Sequence, residues 1–160
     1  MTGAADRFRD AAVALGLDPD VHRFPEGTRT AVDAAHAIGC DVAQIVKSLV
    51  FVADGVPILA LTSGRNRVDP AKIAKLCGAS EVRKGTADEV REATGYAIGG
   101  TPPFGHPQPV RCFVDEDLMS FDEVWAAAGT PDGVFPLSPQ DLLRASNGSV
   151  AAFAESPPAG

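Results

Sequence analysis

The sequence predicts a mixed α/β fold: one domain on a central, mostly antiparallel or mixed β-sheet or partial barrel, surrounded by short helices. Three observations predict it. Two apolar runs, residues 48–52 and 57–62, flank Asp54-Gly55, the strongest short hairpin signal in the chain. Helix-start residues recur at Thr30, Asp69, Thr86, Ser120 and Ser138, each ahead of a short stretch with helical spacing. These helices alternate with hairpin and isolated strands, and no repeat or inter-domain linker interrupts them, so residues 1–155 read as one unit.

In chain order, Phe8, Ala11, Ala12 and Leu15 stand at helical spacing over residues 4–15, and Gly16 stops the pattern. A short extended segment over 21–24 leads to the polar turn Pro25-Glu26-Gly27. Thr30 caps a helix over 31–38, with Asp33 in capping-box position and Gly39 at its end. A turn of helix over 41–45 delivers the chain to a strand opening at Lys47. The hairpin that follows is expected to be antiparallel and central. Asp69 caps and Pro70 starts a helix reaching Cys77, with Lys72 and Lys75 on one side of it.

Residues 81–83 read as a short strand, and Thr86-Ala87-Asp88-Glu89 is a capping box for a helix ending near Thr94, before Gly95. A strand over 110–114 precedes an acidic turn at 115–117. Ser120-Phe121-Asp122-Glu123 reads as another capping box, opening a helix to about Ala128. A strand over 134–137, a helix begun by Ser138-Pro139-Gln140-Asp141 and a last strand over 150–153 complete the domain, and the Pro-rich tail 156–160 reads as disordered.

At 160 residues and 45% hydrophobic composition the chain can bury a sizeable core. No apolar run approaches about 18 residues, and the N-terminus alternates charged and apolar residues, so the expectation is a soluble cytoplasmic protein. Cys40, Cys77 and Cys112 form no CxxC pair or Cys/His cluster, so neither a disulfide frame nor a metal site is indicated. A net charge of -7 argues against wrapping of nucleic acid, which depends on neutralising many phosphates. The charge is uneven, however. Residues 47–91 carry Lys47, Arg65, Arg67, Lys72, Lys75, Arg83, Lys84 and Arg91 against five acids, which suits a small basic face gripping a few phosphates as well as ordinary solvated charge.

Two features carry chemistry. Gly99-Gly100-Thr101-Pro102-Pro103-Phe104-Gly105-His106 is a bare-backbone segment stiffened by two prolines, suited to holding a ligand by its peptide groups. Taken alone it also fits a plain strand-to-loop connection. Lys47 places a cation at the edge of an apolar strand, where a lysine stem that merely covers apolar surface is the competing account.

Together these segments resemble the YbaK and prolyl-tRNA-synthetase-associated editing domain family, across about residues 4–153. The resemblance is carried by Ile45-Val46-Lys47-Ser48-Leu49-Val50-Phe51, by Leu61-Thr62-Ser63-Gly64-Arg65-Asn66-Arg67-Val68-Asp69 before a lysine-bearing helix, and by the GxxxP pattern from Gly99 to Pro103. It implies a freestanding deacylase that hydrolyses the ester of wrongly charged aminoacyl-tRNA without metal or cofactor. It implies tRNA-Pro as the carrier and an aminoacyl-tRNA synthetase as a partner. Some relatives carry a carboxylate in the strand before the last helix, whereas Val134-Phe135-Pro136-Leu137 is apolar here, so that group's role does not transfer.

Hydrolysis of an activated ester needs a placed nucleophile and a stabilised oxyanion. The N–H groups of Gly99, Gly100 and Thr101 are the candidate oxyanion donors, since Pro102 and Pro103 cannot donate. Lys47 matches the family's lysine and would favour developing negative charge or orient the tRNA end. His106 is a candidate proton relay. No general base stands out, which favours assistance from the ribose 2′-hydroxyl of the substrate. No Gly-x-Ser-x-Gly elbow is present, and the cysteines lie in apolar contexts, so serine and thiol nucleophiles are disfavoured. Thr30, Ser48, Leu49, Leu61, Ile98, Thr101 and Pro103 are expected to line the amino-acid pocket, with Arg65, Arg67, Lys72, Lys75, Arg83 and Lys84 on the tRNA side. The competing reading is a non-catalytic tRNA- or synthetase-binding module of the same fold.

Overall fold

Asp54 and Gly55 both adopt positive φ, 47° and 85°, the geometry a two-residue hairpin with right-handed twist demands. The computed structural model describes residues 3–25 and 30–156. The hairpin joins strand β2 (Val46–Ala53) to β3 (Val56–Ser63) in antiparallel register, from Val46 opposite Ser63 to Ala53 opposite Val56. Asp54 does a second job: its carboxylate accepts the Ser80 and Glu81 N–H groups, both at 2.9 Å, which delivers the chain to strand β4 (Val82–Lys84) beside β2. Strands β5 (Arg111–Asp115) and β8 (Ser149–Ala151) add in parallel, giving a five-stranded mixed sheet ordered β4-β2-β3-β5-β8. A smaller antiparallel sheet packs against it, ordered β1 (His22–Arg23), β7 (Gly133–Leu137) and β6 (Val124–Ala127).

Alternation along the strands divides the apolar residues between two cores. Val46, Val50, Leu59, Leu61 and Val114 face the smaller sheet's Val124, Ala126, Phe135 and Leu137. Helix α1 (Ala4–Ala14) closes this core with Phe8 and Ala12, and α5 (Pro139–Ser146) with Leu142 and Ala145. On the opposite face Phe51, Ile58, Ala60 and Phe113 pack on Ile73 of α3 (Pro70–Cys77) and on Phe153. Helices α2 (Ala31–Ile38) and α4 (Ala87–Thr94) complete the fold.

Local capping chemistry sets the helix starts. Thr30 accepts the Asp33 N–H, Asp69 that of Ala71, Thr86 that of Glu89 and Ser138 that of Asp141. Asp41 and Gln44 form a reciprocal box around the 3-10 turn Val42–Gln44, where a turn of helix is expected. Gly39, Gly78 and Gly95 end their helices in the left-handed conformation.

One expected element is corrected. The helix predicted from Ser120 to about Ala128 is absent; a 3-10 turn, Glu116–Ser120, runs into β6 instead. Burial there has period two, with Val124 and Ala126 inside and Trp125 and Ala127 partly exposed. Packing decides the outcome. The Ser120 hydroxyl donates back to the Asp117 carbonyl at 2.8 Å instead of capping forward, and the Glu123 carbonyl accepts from the Gln44 side chain at 3.0 Å. Trp125 then pairs with Pro136 on β7 and bridges Ile45 at the mouth of β2. The alanine-rich composition favours a helix only until these long-range pairings compete. Glu26 and Gly27 of the expected turn, and residues 157–160 of the expected disordered tail, lie outside the described residues.

Candidate active site

At the Lys47 end of β2 lies a cavity of ≈ 500 Å³ walled by β2, α2, β6 and the Gly99–Thr101 segment. Two glycines allow this approach. A Cβ on Gly64 would meet the Val42 carbonyl oxygen and come within 2.9 Å of the Ala31 Cβ, so glycine alone lets the β3 end pass under α2. A Cβ on Gly100 would stand 2.9 Å from the Thr130 backbone, which fixes the floor of the glycine segment.

The segment is held from behind. Phe104 is buried, stacks on Phe8 at 5.5 Å and meets Phe135 edge-on at 5.9 Å. The Thr101 hydroxyl donates to the Ala97 carbonyl at 3.0 Å. His106 donates from Nε2 to the Pro102 carbonyl at 2.9 Å, which requires the proton on that nitrogen. Burial holds this imidazole below its ordinary pKa, with the Pro102 carbonyl opposing.

Lys47, Thr30, Ser48, Leu49, Ile98, Gly99 and Thr101 all line the cavity, and Lys84 reaches it from β4. Leu61, fully buried, and Pro103 are not among the lining residues; both stand in the packing behind the wall. The Gly100 N–H closes a turn onto the Ala97 carbonyl at 3.0 Å and is engaged. The Gly99 and Thr101 N–H groups have no protein partner among the described residues. His106 does not line the cavity, and its ring serves as a clamp on the loop.

The Lys47 ammonium donates to the Asn66 carbonyl at 2.5 Å. Burial depresses its pKa, helped by Arg67 and Lys84 and opposed by Asp115. The other cations are dispersed. Arg83 donates a hydrogen bond to each carboxylate oxygen of Glu89, both at 2.7 Å. Arg65 pairs with Asp41 at 3.3 Å, and Lys72 donates to the Ala154 carbonyl at 2.7 Å. Lys75 and Arg67 are exposed. Neither Cys40, whose thiol burial pushes up, nor Cys112, pushed up to about 12 by burial, lines the cavity.

Several wall residues escape a sequence reading. Trp125, Ala126 and Ala127 reach the cavity because 124–127 is a strand, and α2 contributes buried Ala34 and the exposed Val32 at the rim. The chain's single tryptophan, standing beside three alanines, is the one signal in the sequence that could have marked this wall.

This chain belongs to the aminoacyl-tRNA editing domain family, whose model matches residues 25–145. It is similar to the solved structure of a candidate trans-editing enzyme for prolyl tRNA synthetase, with 44% identity and a TM-score of 0.91 over 98% of this chain and 99% of that one. The Bacillus subtilis protein YwhH is 33% identical over 82% of this chain and 83% of that protein. The Enterococcus faecalis protein EbsC, named as a candidate Cys-tRNA(Pro)/Cys-tRNA(Cys) deacylase, is 27% identical over 80% and 79%. Proline--tRNA ligases also match, but the chain spans only 18% of the Nitratidesulfovibrio vulgaris ligase, at 33% identity over 110 residues.

Proposed function

We propose that this chain is a trans-acting aminoacyl-tRNA deacylase that hydrolyses the ester of mischarged tRNA, with tRNA-Pro bearing a small non-cognate amino acid as substrate. The observation that carries the reading is one cavity lined by both a half-buried ammonium, Lys47, and a stiff glycine segment whose Gly99 and Thr101 N–H groups have no partner among the described residues. The names of the relatives support the substrate class, and the match to part of the proline--tRNA ligases supports the carrier and a synthetase partner.

The aminoacyl group enters between β2 and α2, with the ester carbonyl turned toward the glycine segment. Water oxygen bonds to the carbonyl carbon. The oxyanion that forms is stabilised by the Gly99 and Thr101 N–H groups and by the positive potential of Lys47. Collapse breaks the bond to the ribose oxygen, which takes a proton, and free amino acid and tRNA leave. The ribose 2′-hydroxyl positions the water, since among the described residues no carboxylate or imidazole lines the cavity. Lys84 and Arg67 flank Lys47 and meet the terminal phosphates, with Arg65 and Lys75 farther out. Thr30, Leu49 and Ile98 bound the amino-acid end, and Ser48 lies beside Lys47 on the same strand. A hydrophobic wall separates side chains by only about 1–3 kcal/mol per methylene, so a larger amino acid is refused by steric exclusion.

The experiment is ester loss from alanyl-, seryl-, threonyl- and cysteinyl-tRNA-Pro. The expected result is hydrolysis of at least one, with Lys47→Ala reducing kcat/KM about 100-fold or more. Tight binding of charged tRNA with every ester intact would favour the non-catalytic module instead.

A further inference from the structure

We infer that Asn66, clamped by Asp115 and Asp117, is a positioning residue that holds the Lys47 ammonium at the cavity wall while leaving its charge free for the substrate. The inference rests on the deacylase reading of Lys47 and adds the device that keeps that cation usable.

A half-buried ammonium needs a partner, and the choice of partner decides what it can do. A carboxylate in direct contact would cancel its charge. Among the described residues no carboxylate pairs with Lys47; its Nζ donates to the main-chain carbonyl of Asn66 at 2.5 Å. A neutral carbonyl satisfies one N–H and leaves the others, with the net charge, facing outward.

That carbonyl is held in place by charge one step back. The Asn66 side-chain amide donates to Asp115 Oδ2 at 2.9 Å and to Asp117 Oδ2 at 2.7 Å. Asp115 is buried at 1% exposure, and the bonds of its carboxylate fix the same corner: Oδ2 accepts the Ser63 N–H at 3.0 Å, and Oδ1 accepts the Asp117 N–H at 3.0 Å. The Asn66 N–H closes the turn onto the Ser63 carbonyl at 2.9 Å, and the Ser63 hydroxyl ties it to the Ala43 carbonyl at 2.7 Å. The ends of β3 and β5 are thereby locked under Lys47. The charged groups that act on it are Arg67 and Lys84, which disfavour the ammonium, and Asp115, which favours it, with Asp117 reaching it only through Asn66. An amide at 66 is required, because a carboxylate there would face two others and donate to neither.

The test compares wild type, Lys47→Ala, Asn66→Ala and Asp117→Ala, reading kcat and KM on charged tRNA together with the pH titration of the Lys47 13Cε resonance. Asp117 is exposed, so its replacement keeps the fold and removes one of the two clamps. Asn66→Ala is expected to lower kcat about 10- to 100-fold with KM little changed, and to move the Lys47 titration to lower pH. Asp117→Ala moves both in the same direction by less. A merely structural role for the turn would lower melting temperature and leave the titration where it was. Wild-type kcat and an unmoved titration in both variants, with Lys47→Ala inactive, would overturn the inference and leave the deacylase reading intact. Should wild type spare every ester, the deacylase reading fails, and the titration alone decides whether Asn66 holds the ammonium.

Discussion

At the scale of single residues, the site depends on positions where an atom too many cannot fit. Gly100 has no room for a Cβ against the Thr130 and Pro131 backbone, whereas Gly99 has space but a φ of 87°. The two should therefore fail differently. Gly100→Ala must displace the loop, with an expected stability loss of about 1–3 kcal/mol and a shifted glycine segment. Gly99→Ala keeps its neighbours and carries the left-handed penalty, about 1–2 kcal/mol. Thermal melts check the losses, and amide chemical shifts of residues 97–106 check the displacement. Lys47 and the Gly-Pro segment are legible in the chain because their residue types are unusual for their surroundings. Asn66 and Asp115 are not, since an asparagine in a turn and an aspartate at a strand end look ordinary until 49 residues of sequence separation vanish in a 2.9 Å bond.

Among the elements, helix starts and the hairpin were readable because their causes are local. Thr86 and Glu89 close a reciprocal box, and Arg83 from β4 joins it, so α4 is pinned to the sheet edge. The Arg83 guanidinium and the Thr86 N–H hold the Glu89 carboxyl at about 2, below its ordinary 4.5. Its stabilising contribution is present above the ordinary value and is lost as pH falls toward about 2. Melting curves of wild type and Glu89→Gln should accordingly differ at pH 7 and converge near pH 2, with a small gap because the pair is exposed. A constant gap across that range would contradict the assignment. Residues 120–128 resist a local reading for the opposite reason. Their capping pattern is local, but the register of β6 on β7 and the bond from Gln44 to Glu123 are not.

For the whole molecule, the cavity exists because two sheets and a loop meet at one end of the core, and Phe104 ties the loop to that core. Phe104→Ala should cost about 3–5 kcal/mol and loosen the glycine segment, so that activity falls more steeply than the folded fraction. Calorimetry alongside ester hydrolysis measures both, and activity that merely tracked the folded fraction would argue against the loop's dependence on this anchor. By itself the sequence determined the helix caps, the Asp54-Gly55 hairpin, the apolar strands and the two segments that carry the chemistry, because each is written in neighbouring residues. Only the tertiary structure decided that 124–127 is a strand, that Leu61 and Pro103 stand behind the wall, that His106 grips the loop, and that Asn66 meets Lys47. Those outcomes depend on contacts between residues far apart in the chain, where packing and buried hydrogen bonds outweigh local preference.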